Sequence, residues 1–140
     1  MTRRVIEAFP EKELFEFSVG GMRPFAGLVK ELLAIAVPGL EGIVNRTETS
    51  NEETESAQSA ALTTKAALLR QWDADTPKID TLFNQIPEED FQQMFNLFGQ
   101  FNYPIIYNIQ YFIDNEIHHR GQGYVYLRAL GIEPPFFWER

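Results

Sequence analysis

Between Pro104 and Gly131 no proline interrupts the chain, and apolar side chains recur at helical intervals: Ile105, Ile109, Phe112, Ile113, Ile117 and Leu127. At about 100° per residue they share one sector of a helix, the expected core face. Two earlier windows repeat the period. From Phe25 to about Val44 it is carried by Leu28, Leu32, Ile35, Leu40 and Val44, with Pro38-Gly39 expected to kink or break the helix late. From about Leu62 to Gln85 it is carried by Leu69, Trp72, Ile79, Leu82 and Phe83, with a bend expected at Pro77.

Shorter elements fill the gaps. Residues 1–9 read as a short helix stopped by Pro10, and residues 18–24 as a turn built on Gly20 and Gly21. Pro87-Glu88-Glu89-Asp90 predicts a helix start leading into Phe91, Met94 and Phe95, followed by an aromatic turn from Phe98 to Tyr103. Strand-like alternation is nearly absent. The expectation is one all-α domain over residues 1–140, an antiparallel four-helix bundle with a shortened first helix. Residues 45–60 hold four glutamates and almost nothing apolar, which predicts an acidic, solvated and mobile loop. The tail Phe136-Phe137-Trp138 is expected to pack against the bundle or a second subunit.

Charge narrows the function classes. Twelve Lys and Arg against 20 Asp and Glu give a net charge of −8, and the cations form no run, so nucleic acid is not an expected partner. No stretch approaches the ~18 consecutive apolar residues of a membrane helix. Glu7, Glu11 and Glu13 interrupt what would be a signal-peptide core after Arg3-Arg4, so a cytoplasmic location is expected. The absence of cysteine excludes a disulfide framework, a thiolate zinc site and a cysteine nucleophile. With only two histidines, His118 and His119, one subunit cannot build a three-histidine metal site.

The last helix divides into faces. Gln110, Asp114, Gly121 and Arg128 mark the expected solvent side. Asn108, Tyr111, Asn115, His118, His119, Gln122 and Tyr126 form a polar and aromatic stripe without a carboxylate or permanent cation, which suits a cleft wall or a subunit contact. Glu116 and Arg120 project into the core sector at i,i+4 and are expected to pair, fixing helix register. Gly121 and Gly123 each cost about 1 kcal/mol of helix propensity, which suggests close approach by a neighbouring helix or a local turn. His119, at the edge of the apolar face, reads as a half-buried histidine bonded to a carboxylate or carbonyl.

The run NEIHHRGQGYVYLRALGIEPP, residues 115–135, resembles the C-terminal signature of the DinB-like (DinB/YfiT) superfamily, approximately His-x-x-x-His-Arg-Gly-Gln, a leucine-rich stretch and Gly-x-x-Pro-Pro. GMRPFAGLVKEL and PKIDTLFNQIPEEDF resemble the start of that superfamily's second helix and its third helix with the following turn. The resemblance implies a four-helix bundle, commonly a homodimer, with a divalent metal such as nickel or zinc at one end. It implies for some relatives a transferase or isomerase activity on small thiols. Carried over by position, the metal triad falls on Glu31, Asn115 and His119. Glutamate ligates zinc or nickel, but an asparagine amide oxygen is a poor donor for such metals.

The expectation that follows is a bundle with a degenerate metal site, binding a divalent metal weakly or not at all. It would serve as a non-catalytic protein that binds a small molecule or a partner. The alternative is a metal-dependent small-thiol transferase or hydrolase using the Glu31/Asn115/His119 cleft. The same residues also allow a plain Glu31–His119 ion pair. The few residues ahead of Pro10 imply a truncated bundle or one completed across a dimer interface.

Overall fold

A computed structural model describes residues 1–47 and 60–139. The acidic-loop expectation for 45–60 falls, for residues 48–59, outside the described residues. Three long helices dominate: α3 (Phe25–Asn45), α4 (Lys65–Phe83) and α5 (Ile105–Ala129). Ahead of them lie two short ones, α1 (Thr2–Ala8) and α2 (Glu11–Glu16). Pro10 does stop α1, but the chain re-enters a helix immediately after it, which the sequence reading missed. No helix among the described residues is long and apolar enough to cross a membrane.

Local chemistry sets the helix ends. Thr64 caps α4 by accepting the Ala67 amide at 3.1 Å. At the end of α3, Arg46 takes a left-handed φ of 55° and the Thr47 amide returns to the Gly42 carbonyl at 3.1 Å. α3 runs through Pro38 without ending, so the expected break is absent, and α4 runs likewise through Pro77. A proline removes a single backbone donor. The helix around Pro38 is held from the side, because Val37, Gly39 and Leu40 are buried.

Two core clusters give the helix directions. Phe25 and Leu68, near the starts of α3 and α4, share one cluster with Val5, Ile6, Phe9 and Leu127. Ile43, near the end of α3, is in the other with Ile105 and Ile109, and Leu82, near the end of α4, packs against it. Thus α3 and α4 run parallel, and α5 is antiparallel to both. The purely antiparallel arrangement expected from sequence is corrected at the α3–α4 pair. α1 is antiparallel to α4, since Arg3 meets Asp73 while the Lys65 ammonium donates to the Phe9 carbonyl.

The all-α expectation needs a second correction. The run after Pro87 forms only one 3₁₀ turn, Glu88–Asp90. Then β1 (Met94–Leu97) pairs antiparallel with β2 (Phe101–Pro104), in the register Met94↔Pro104 and Leu97↔Phe101. Phe98 and Gly99, with φ of 55° and 68°, make the left-handed hairpin tip. Phe95 and Leu97 point into the second cluster, and the Asn108 amide donates to the Phe95 carbonyl at 3.0 Å, tying hairpin to helix. The Gln93 and Phe91 carbonyls accept the Ile105 and Ile106 amides, two donors that α5 cannot satisfy internally.

α5 is rotated relative to its apolar wheel. Ile105, Ile109 and Leu127 are buried as expected, but Ile113 and Ile117 are 54% and 50% exposed. Asn108, His119 and Tyr126 from the polar stripe are buried instead. Each has hydrogen-bond partners, so their burial carries no unmatched polar group. The tail is likewise not covered by this chain: Phe137 is 69% exposed, and Phe136 stacks on Trp138 rather than on the bundle.

The two glycines of α5 separate cleanly. A Cβ on Gly123 would lie 2.5 Å from the Phe25 ring and 2.9 Å from Val5, whereas one on Gly121 meets nothing within 4 Å. Gly123→Ala is therefore expected to destabilise the fold by about 1–3 kcal/mol through overpacking. Gly121→Ala is expected to be neutral or to stabilise by up to about 1 kcal/mol. Urea unfolding of the two variants checks the contrast, and equal effects would contradict it.

Candidate functional site

Asn115 and His119 stand one helical turn apart on α5, and antiparallel packing brings Glu31 of α3 against them. Glu31 Oε1 accepts from His119 Nε2 at 3.0 Å and from Asn115 Nδ2 at 3.4 Å. Its Oε2 accepts from the Arg23 guanidinium. The turn that presents Arg23 has positive φ at Gly20 and Gly21. It is pinned from α5, where the Tyr126 hydroxyl donates to the Arg23 carbonyl at 2.8 Å.

His119 is only 6% exposed and both of its ring nitrogens face oxygens. Nε2 meets Glu31, and Nδ1 meets Gln122 Oε1 at 2.7 Å. The Gln122 amide nitrogen lies 3.5 Å from the Met22 sulfur. With the Glu31 carboxylate at Nε2 and the Gln122 amide oxygen at Nδ1, the arrangement suits imidazolium. The hydrogen bond to Glu31 accordingly raises the His119 pKa, against the opposing effect of burial. Glu31 is held down to about 2, first by its bond to His119 and further by Arg23, with burial opposing. Burial, followed by the charge of Glu31, raises the nearby Tyr111 hydroxyl.

The structure thus gathers Glu31, Asn115 and His119 and adds Arg23 and Gln122. Gln122 belonged to the polar stripe in the sequence, but Arg23 carried no periodic signal. His118 is exposed, its ring centroid 5.1 Å from that of His119, and it makes no contact with Glu31 among the hydrogen bonds of the cluster. Glu116 and Arg120 pair at 3.2 Å, half-buried rather than in the core, and the Thr2 hydroxyl donates to Glu116 at 2.5 Å.

As a metal site this donor set does not fit. A divalent ion would have to displace the Arg23 guanidinium and take the Nε2 proton of His119. It would then find one carboxylate, one imidazole and a neutral amide oxygen. No group of three His, Cys, Asp or Glu suited to a metal occurs among the described residues.

The DinB family model matches residues 2–139. Among solved structures the chain is similar to the crystal structure of a DinB-like protein from Bacillus cereus, with a TM-score of 0.71 and 15% identity over 98% of this chain and 88% of that one. At that identity the likeness speaks for the fold. None of the curated proteins matches.

The ionic pair has a definite pH signature. The lowered Glu31 contributes stability above its ordinary value of 4.5, and this is lost as pH falls toward about 2. The raised His119 contributes stability in full below its ordinary value of 6.5, lost as pH rises through the higher folded value. The destabilisation caused by His119→Gln, measured by urea unfolding, is therefore expected to be larger near pH 5.5 than near pH 9. A pH-independent difference would refute the imidazolium assignment.

Proposed function

The chain belongs to the DinB family, and we propose that within it this protein is a binding protein whose metal centre has been replaced by the Arg23–Glu31–His119 ion network. Its helices are read as a four-helix bundle in which α1 and α2 form a shortened first arm. The observation that carries the reading is the saturation of Glu31 and His119: every ring nitrogen and carboxylate oxygen in the pair has a partner from the chain itself. With both ring nitrogens of His119 engaged and the Glu31 carboxylate shared by His119, Asn115 and Arg23, the pair offers a metal no free nitrogen and no unshared carboxylate oxygen.

Such a network binds the 18–24 turn to α3 and α5 and makes the cluster a structural closure. A nucleophilic or general-base role for His119 is disfavoured by the same geometry, since a base needs a free nitrogen. Function then falls to surfaces that take a ligand or partner.

Elemental analysis of protein purified without chelator tests the reading. Nickel, zinc and manganese are each expected well below one equivalent, unchanged by His119→Ala. One tightly held metal per chain, lost in that variant, would overturn it and favour the metal-dependent transferase or hydrolase.

A further inference from the structure

The outward face of α5 has a near-symmetric order about one glycine. Gly121 stands at the centre of that face, exposed, and a Cβ placed there would meet nothing within 4 Å. A glycine inside a helix costs about 1 kcal/mol, and unlike Gly123 this one makes room for no part of its own chain. Four residues to either side, about 40° away around the helix, lie Ile117 and Val125. They are apolar and β-branched, yet 50% and 54% exposed. Seven residues to either side, about 20° away, lie Asp114 and Arg128. Both are exposed, and neither side chain has a hydrogen-bond or ionic partner among the described residues.

This order complements itself when the helix is reversed. Where two α5 helices cross antiparallel at Gly121, residues at equal distances before and after the glycine face one another. Ile117 then packs on Val125 of the partner subunit. Asp114, about 10 Å along the axis from the crossing, meets Arg128 of the partner subunit. A two-fold axis through the glycines repeats each contact, giving two apolar and two ionic pairs. The glycines let the backbones approach where side chains would hold them apart. The chain carries a net charge of −8, so two copies repel unless the contact face balances its own charge. Asp114 and Arg128 supply that balance, and only an antiparallel second copy brings each opposite its counterpart.

We propose that two copies of this chain associate through α5, antiparallel across a two-fold axis at Gly121, with Asp114 and Arg128 pairing between subunits. The charge pair fixes the register, since sliding one helix past the other by a turn separates both ionic contacts. The contact face lies away from Glu31 and His119, which α5 turns toward α3. Self-association and metal content can therefore each fail alone.

Sedimentation of the full chain with chelator present tests it, and a dimer is expected at about 50 µM. Asp114→Arg and Arg128→Asp each place two like-charged pairs in the contact, and each should weaken association at least about tenfold. The double variant Asp114→Arg/Arg128→Asp reverses both members together and should restore association to within about threefold of the native chain. At dilutions where all are monomers, these variants should unfold in urea like the native chain, which separates a lost contact from a lost fold. The absence of cysteine allows a direct probe of the axis. Gly121→Cys should oxidise to a disulfide-linked dimer, because a close crossing brings the two Cα atoms within the roughly 4.4–6.8 Å that a disulfide spans. Lys12→Cys, at an exposed position on α2, should cross-link at least about tenfold more slowly. Three results would each overturn the proposal: a monomer up to ~1 mM; a dimer that neither charge reversal weakens, which would mean pairing through another face; or a Gly121→Cys chain that cross-links no faster than the Lys12→Cys chain.

Discussion

One carboxylate fixes how three parts of the molecule meet. Glu31 of α3 accepts from His119 and Asn115 of α5 and from Arg23 in the preceding turn, so helix, helix and turn converge on two oxygens. Burying a charge is costly unless it is paired and hydrogen-bonded, and here both conditions are met. Replacing such a network wholesale with apolar groups can be neutral. Removing one member alone is not, because it strands the others. The network therefore contributes registry more surely than raw stability. It specifies where α5 sits along α3, and Tyr126 transmits that placement to the turn through the Arg23 carbonyl.

The helices were legible in the sequence because their apolar period extends over many turns. The errors arise where a few residues, or polar residues, carry the packing. On α5 the wheel gathers every isoleucine on one face, yet the buried stripe is completed by Asn108, His119 and Tyr126, whose hydrogen bonds make burial tolerable. Ile113 and Ile117 are displaced outward in consequence. The hairpin escaped notice because its alternation, Phe95 and Leu97 against Asn96, lasts only four residues. No local pattern could register that the Asn108 side chain would anchor it. Arg23 was invisible for a related reason: it lies eight residues before Glu31, outside any helix, and only the Gly20–Gly21 turn swings it back.

Gly39 and Gly123 show the same division between signal and context. Both sit in helices at a propensity cost, and both mark contacts between α5 and its neighbours: Gly39 faces Phe112, and Gly123 faces Phe25 and Val5. The helical wheel already places Gly121 on the solvent side and Gly123, at the same angle as Ile105, on the core side, and the structure agrees with both. The rotation of α5 brings Asn108, His119 and Tyr126 into the buried sector while leaving Gly123 inside it.

The charge at the network carries the chemistry further than donor counting does. A set of one carboxylate, one amide and one imidazole is a poor donor set for zinc or nickel, and Arg23 alters its electrostatics independently. A guanidinium bonded to the one anionic donor repels a divalent ion and lowers the basicity of the carboxylate that would attract it. Glu31 in turn favours the proton on His119, which a metal must remove. Glu31 thus stabilises the protonated form of His119, which has no free nitrogen for a metal, while Arg23 occupies the ionised carboxylate itself. The cluster is consistent with itself as an ion network, held together at Glu31, where Arg23 and His119 both pair. Asn115 adds a spatial consequence, because it touches Glu31 and also lines the cavity bounded by Trp72, Ile79 and Ile113. The ion network and that cavity therefore share one residue as a wall.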